Sequence, residues 1–110
     1  MNPSEPVVAF STIDSEKEAI KIAKALVEAH LAACVNVVPK VTSVYEWKEE
    51  ICEEGEAFLI IQTHMDVIDE LKVTIKEMHP YEVPMLLICP VSDGLDDYLS
   101  WMSTYVLRRA

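Results

Sequence analysis

Val35-Asn36-Val37-Val38-Pro39-Lys40-Val41-Thr42-Ser43-Val44-Tyr45-Glu46-Trp47 is the stretch whose reading decides the fold. Val35, Val37, Val41, Tyr45 and Trp47 share one parity, and Asn36, Lys40, Thr42 and Glu46 share the other. That period of two is the mark of an amphipathic strand. At about 13 residues it is more than twice the usual strand length of ~5–6. Pro39 lacks a ladder donor and predicts a bulge, a bend or an edge position. A strand this long overshoots a small domain. Its far end, with Tyr45 and Trp47, is expected to pack outside its own core, most economically against another copy of the chain.

Upstream, Val7 to Phe10 reads as a first strand. Asp14 and Ser15 offer helix N-caps, and Ser15 with Glu18 forms a capping box. Ala19, Ile22, Ala23, Leu26, Val27 and Leu31 then recur at helical spacing. Downstream, Lys48 to Glu56 carries five glutamates and reads as an acidic hairpin connection. Ala57 to Ile61 is continuously apolar, as in a strand buried on both faces. A second helix runs from Val67 to Met78, capped by Thr63 or Asp66, and Met85 to Val91 reads as a last long strand. Asp93-Gly94 turns the chain into a C-terminal helix marked by Leu95, Tyr98, Leu99, Met102 and Val106. The order β-α-β-β-α-β plus a terminal helix predicts an α+β, ferredoxin-like domain: an antiparallel sheet with two helices on one face. The 110 residues suffice for one domain spanning 1–110, with residues 1–5 as a flexible N-terminal segment.

Composition removes several classes of function. A net charge of −10, with Arg108 and Arg109 as the only arginines, speaks against nucleic acid as a partner. No apolar run approaches the ~18–20 residues that span a bilayer, so no membrane partner is expected. The polar start, Met1 to Pro6, lacks the regions of a signal peptide. Cys34, Cys52 and Cys89 are widely spaced and odd in number, as for reduced thiols in a cytoplasmic protein. The loop Ser11-Thr12-Ile13-Asp14-Ser15 has no C-x-x-C of a metal chaperone, and the N-terminal half has no arginine to hold a phosphate as an acylphosphatase would. The glutamates of residues 49–56 lack the order of an EF-hand loop.

The densest set of ligand-capable groups is His79-Pro80-Tyr81-Glu82-Val83-Pro84. Pro80 disfavours helical geometry at His79, so the second helix ends there, and Pro84 sets the start of the next extended segment. His79 is either a metal ligand or a helix-ending group that satisfies backbone carbonyls. Tyr81 and Glu82 either complete a polar cleft or pack at a subunit interface. Tyr45 and Trp47 either stack on a ligand or fill that interface. Cys34, opening the long strand, is a thiolate ligand or a small buried hydrophobe, and Cys89 is expected in the core.

Leu31-Ala32-Ala33-Cys34-Val35-Asn36, Thr42-Ser43-Val44-Tyr45-Glu46-Trp47, the His79–Pro84 hexapeptide and Tyr98-Leu99-Ser100-Trp101 together resemble the CutA1 family of divalent-cation tolerance proteins. The resemblance runs from about Val7 to Trp101. It implies a tight homotrimer of ferredoxin-like protomers, similar in architecture to the PII signalling proteins. It also implies a non-catalytic role in tolerance of copper(II) or another divalent cation. The residues then expected at the metal are His79, Glu82 and Cys34, and those at the cleft or subunit interface are Ser11, Tyr45, Trp47, Tyr81 and Trp101. Ser11 and Met78 stand where some bacterial members carry a Cys and a His as proposed copper ligands. An alternative keeps the trimer and makes it a structural or PII-like signalling protein, with a small molecule or protein segment in its inter-subunit clefts and indirect effects on metals.

Overall fold

The computed structural model describes residues 5–106. Residues 1–4 of the expected flexible segment, and both arginines, lie outside the described residues. Glu5, its fifth residue, is tied down: its carbonyl accepts the Met65 N–H at 2.9 Å. The elements run β1 (Pro6–Ile13), α1 (Glu16–Glu28), β2 (Cys34–Trp47), β3 (Glu50–His64), a 3-10 turn (Met65–Val67), α2 (Ile68–Met78), β4 (Leu87–Pro90) and α3 (Asp96–Val106). The α+β class and the element order hold. The four strands form one antiparallel sheet in the order β2-β3-β1-β4.

One face of that sheet carries the core. Val7, Ala9, Ser11 and Ile13 of β1 are buried at alternate positions and lie opposite Thr63, Ile61, Leu59 and Ala57 of β3. Ala19, Ile22, Ala23 and Leu26 of α1, Ile68, Leu71 and Ile75 of α2, and Met102 and Val106 of α3 are the buried helical positions. The α1 N-terminus is capped as expected, Ser15 accepting the Glu18 N–H. Its C-terminus closes with a Schellman pair, Leu31 N–H to Leu26 O and His30 N–H to Val27 O, with His30 rather than glycine at φ 59°.

The other face is open except at its Gln62–His64 end, where Tyr98 and Ser103 of α3 reach the Gln62 and His64 side chains. Val8 and Phe10 of β1 and Phe58 and Ile60 of β3 are only half-buried, and the Phe10 and Phe58 rings stack at 5.6 Å. Leu87 of β4, opposite Phe10, is 59% exposed. The β2–β3 hairpin continues past this body as an arm with Val44 and Ile51 in solvent, giving extents of 44 × 25 × 23 Å.

Several local expectations are corrected. The acidic run is strand, not loop: β3 begins at Glu50, and the connection is only Lys48-Glu49, both at positive φ (50° and 70°), a tight hairpin turn. Ala57 to Ile61 alternates between buried and half-buried positions and so is not covered on both faces. β1 extends to Ile13, because Ser11 and Thr12 still pair with Leu59 and Phe58. β4 starts at Leu87, two residues later than expected; the Met85 carbonyl is taken by the Ser11 hydroxyl at 2.7 Å. Neither Thr63 nor Asp66 caps α2. Thr63 is buried in β3 and donates to Leu31 O, and the 3-10 turn leads into the helix without a side-chain cap. Cys89, expected in the core, is exposed, since its register opposite Val8 puts it on the open face.

The expected irregularity at Pro39 is present and has a larger consequence. The register shifts between Val38 and Val41, where β2 carries one residue more than β3. Val35 and Val37 lie opposite Ile61 and Leu59, on the core face. Beyond the shift, Val41 lies opposite Glu56, which alternates with Phe58 and Ile60 on the open face. Residues of one sequence parity therefore serve two faces of the sheet, and Tyr45 and Trp47 join the open one.

Candidate functional site

The segment after α2 folds around His79. The His79 N–H still donates to Ile75 O at 2.9 Å, as in the helix, while its φ and ψ of −86° and 134° are extended, as the following proline requires. The imidazole is buried. Nε2 lies 2.6 Å from the Thr12 carbonyl oxygen, which can only accept, so Nε2 carries the proton. Nδ1 then accepts the Tyr81 N–H at 3.2 Å. The bond to Thr12 falls just beyond the point where the β1–β4 ladder stops, at Phe10 and Leu87. His79 thus replaces the missing strand partner and, through its second nitrogen, sets the turn into Tyr81.

The Tyr81 ring meets His79 edge to face at 4.6 Å, and its hydroxyl donates to Glu56 Oε2 at 2.7 Å. Burial, then the hydrogen bond to Glu56, then the charges of Glu56, Asp14 and Tyr45 push the Tyr81 phenol well above its ordinary range, so it stays neutral. The Tyr45 phenol is raised as well, by partial desolvation and then by Glu54, Cys52 and Glu56 across the hairpin. Glu56 is 7% exposed, and Tyr81 is its one hydrogen-bond partner among the described residues. None of the described buried side-chain oxygens is left without a partner, so the second carboxylate oxygen of Glu56 reaches solvent.

That solvent is a cleft of about 480 Å³ lined by Thr12, Tyr45, Trp47, Glu56, Tyr81, Glu82, Val83 and Met85. Of the sequence-predicted residues it gathers Tyr45, Trp47, Tyr81 and Glu82. His79 and Ser11 stand behind it as supports, the one on Thr12 and Tyr81, the other holding the Met85 carbonyl. Cys34 and Trp101 are elsewhere. Cys34 pairs with Gln62 at the opposite end of β2, and Trp101 lies in an exposed aromatic row on α3 between Tyr98 and Tyr105. No group of three or more His, Cys, Asp or Glu able to hold a metal ion occurs among the described residues of a single chain. Sequence reading missed Glu56, which it assigned to a loop; counting the strand alternation back from Ile60 and Phe58 reaches it.

A model of the CutA1 divalent ion tolerance protein family matches residues 7–105. The divalent-cation tolerance protein CutA of Thermus thermophilus is 44% identical over 95 residues, 86% of this chain and 92% of that protein. The human protein CutA is 42% identical over 100 residues, 91% of this chain but 56% of its own length, so this chain spans just over half of that relative. Among solved structures, CutA from Xylella fastidiosa superposes with a TM-score of 0.90 at 33% identity, covering 94% of this chain and 99% of that one. The Thermus thermophilus structure superposes with a TM-score of 0.86 at 43% identity, covering 88% and 94%. The chain belongs to the CutA1 divalent ion tolerance protein family.

Proposed function

We propose that the chain works as a cytoplasmic, non-catalytic homotrimer of ferredoxin-like protomers, PII-like in assembly. Its role is in divalent-cation tolerance, and its binding site is the cleft beside Glu56. The observation that carries this reading is the pair of carboxylates, Glu56 and Glu82, lining one cavity, with an oxygen of the nearly buried Glu56 free to accept a ligand. A divalent cation such as copper(II) would take these oxygens, with further donors from a neighbouring subunit. No helix of the described residues is long and apolar enough to cross a membrane, and the three cysteines are unpaired, which fits a reducing compartment.

The half-covered face around Phe10, Phe58, Ile60 and Leu87 supports assembly, since such a face is too apolar to leave to water. Light scattering at micromolar chain concentration is expected to give three times the 12.4 kDa chain mass. A one-chain mass would overturn the trimer.

Equilibrium dialysis of the reduced protein against Cu(II), Cu(I) and Zn(II) tests the metal site. Stoichiometric binding is expected to weaken at least tenfold in Glu56→Gln, about 1.4 kcal/mol. Binding indifferent to that change would move the function to a second reading, a cleft for a small organic molecule with indirect effects on metals. One observation favours that reading: both ring nitrogens of His79 are already engaged within the chain, so the imidazole offers a cation no lone pair.

A further inference from the structure

We infer that the cleft binds a small organic cation, an ammonium group bearing aliphatic carbon, held among the rings of Tyr45, Trp47 and Tyr81 with Glu56 as its counter-charge. The inference deepens the small-molecule reading above and rests on it for the cleft being a binding site.

The cleft's volume lies within the ~300–1,000 Å³ of small-molecule sites. Its lining contains three aromatic rings, two carboxylates and no lysine, arginine or histidine. Aromatic faces attract cations through the ring quadrupole, best when the cation is poorly hydrated, as an alkylammonium is. The face of Trp47 already meets one cation, the Lys48 ammonium 5.9 Å from the ring centroid, near the outer limit of that interaction.

Glu56 supplies what the rings lack. It is more than nine-tenths buried, with one oxygen fixed by Tyr81 and the other open to solvent at the cleft. Glu82 also borders a second hollow beside Lys72 and Lys76, so the argument leans on Glu56. An anion would find no basic group here. A neutral polar ligand would find two of the lining's donors already engaged: the Tyr81 hydroxyl is spent on Glu56, and the Thr12 hydroxyl is directed to Met85 Sδ at 3.9 Å. A bare metal ion would leave three ring faces without a purpose. An alkylammonium uses the rings and the carboxylate together.

The test titrates the purified protein with tetramethylammonium chloride and, in parallel, with tert-butanol, its uncharged near-isostere, at constant ionic strength. Binding is followed by the NMR shift of the Trp47 indole N–H, or in Trp47 variants by other cleft resonances. Saturable binding at least tenfold tighter for the cation is expected. Trp47→Leu and Glu56→Gln should each weaken it at least fivefold. The glutamine keeps an oxygen for Tyr81, so this second variant preserves the fold. Trp101→Leu, in the α3 aromatic row, should leave binding unchanged. Equal affinity for the two probes, or no saturable shift, overturns the inference, as would a neighbouring subunit's own lysine already filling the cleft. The two probes separate the readings: saturable binding of both at equal affinity sinks this inference and leaves the small-molecule cleft standing, and saturation by neither counts against both.

Discussion

Replacing His79 by alanine is expected to destabilise the folded chain by about 3 kcal/mol, a large effect for a single substitution. Three losses combine. The Thr12 carbonyl, 2.6 Å from Nε2, is left without its donor in a part-buried place. The Tyr81 N–H loses Nδ1, its acceptor. The ring itself, 7% exposed and packed on Tyr81, leaves a void. Stranding a buried polar group costs roughly 1–3 kcal/mol, and the void adds a cavity term. Denaturant titration at a fixed chain concentration measures the change, since the proposed assembly would make stability concentration-dependent. His79→Gln, whose amide can still donate toward Thr12, should recover part of it. A loss below about 1 kcal/mol would show that water replaces the imidazole without penalty, and that His79 does not hold the segment. Because Tyr81 depends on His79 for its turn and Glu56 depends on Tyr81 for its hydrogen bond, the alanine variant should also loosen the cleft without removing any group that lines it.

How much of this was legible in the sequence follows from which signals are local. The helical stripes of α1 and α2 each depend on a few residues in a row and survive in the fold, and the period of two in β2 holds on either side of its bulge but not across it. The β2–β3 turn was hidden because it uses Lys48-Glu49 at positive φ, where the usual signal is Asn-Gly or Asp-Gly; an acidic run without that signal reads as loop. The chain has only two glycines, and His30 likewise takes a left-handed position without one. Cys89 was misplaced because the side of a short edge strand is set by its register against β1, which is a tertiary fact. The site was half-legible for the same kind of reason. The hexapeptide around His79 announces itself, but Glu56 joins Tyr81 across 25 residues of sequence, and Tyr45 and Trp47 reach the same cleft only because the extra residue at Pro39-Lys40 shifts their phase. Parity alone groups them with Val35 and Val37, which lie on the face that carries the core.

Ile60→Asp is expected to break the proposed trimer while leaving the single chain folded. Ile60 sits in the middle of the open face, between Phe10 of β1 and Asn36 of β2, and is half-buried within its own chain. In an isolated chain the new carboxylate would remain hydrated, so the loss is limited to some apolar contact and the poor strand preference of aspartate, about 1 kcal/mol. In a trimer that buries this face, the same carboxylate would leave water without a partner in each of the three subunits, next to stacked phenylalanine rings. The penalty for an unpaired buried charge is several kcal/mol per group, well above the intrinsic cost to one chain. Light scattering should therefore fall from a three-chain to a one-chain mass at micromolar concentration. Far-ultraviolet circular dichroism should be nearly unchanged, and the melting temperature should cease to depend on concentration. Thr12, Phe58 and Ile60 line the same side of the sheet, and the cleft opens at its Thr12 end, so a dissociated variant also asks whether ligand binding needs a second chain. A retained three-chain mass would mean that assembly uses the hairpin arm and α3 instead, and that the open sheet face is not where the subunits meet.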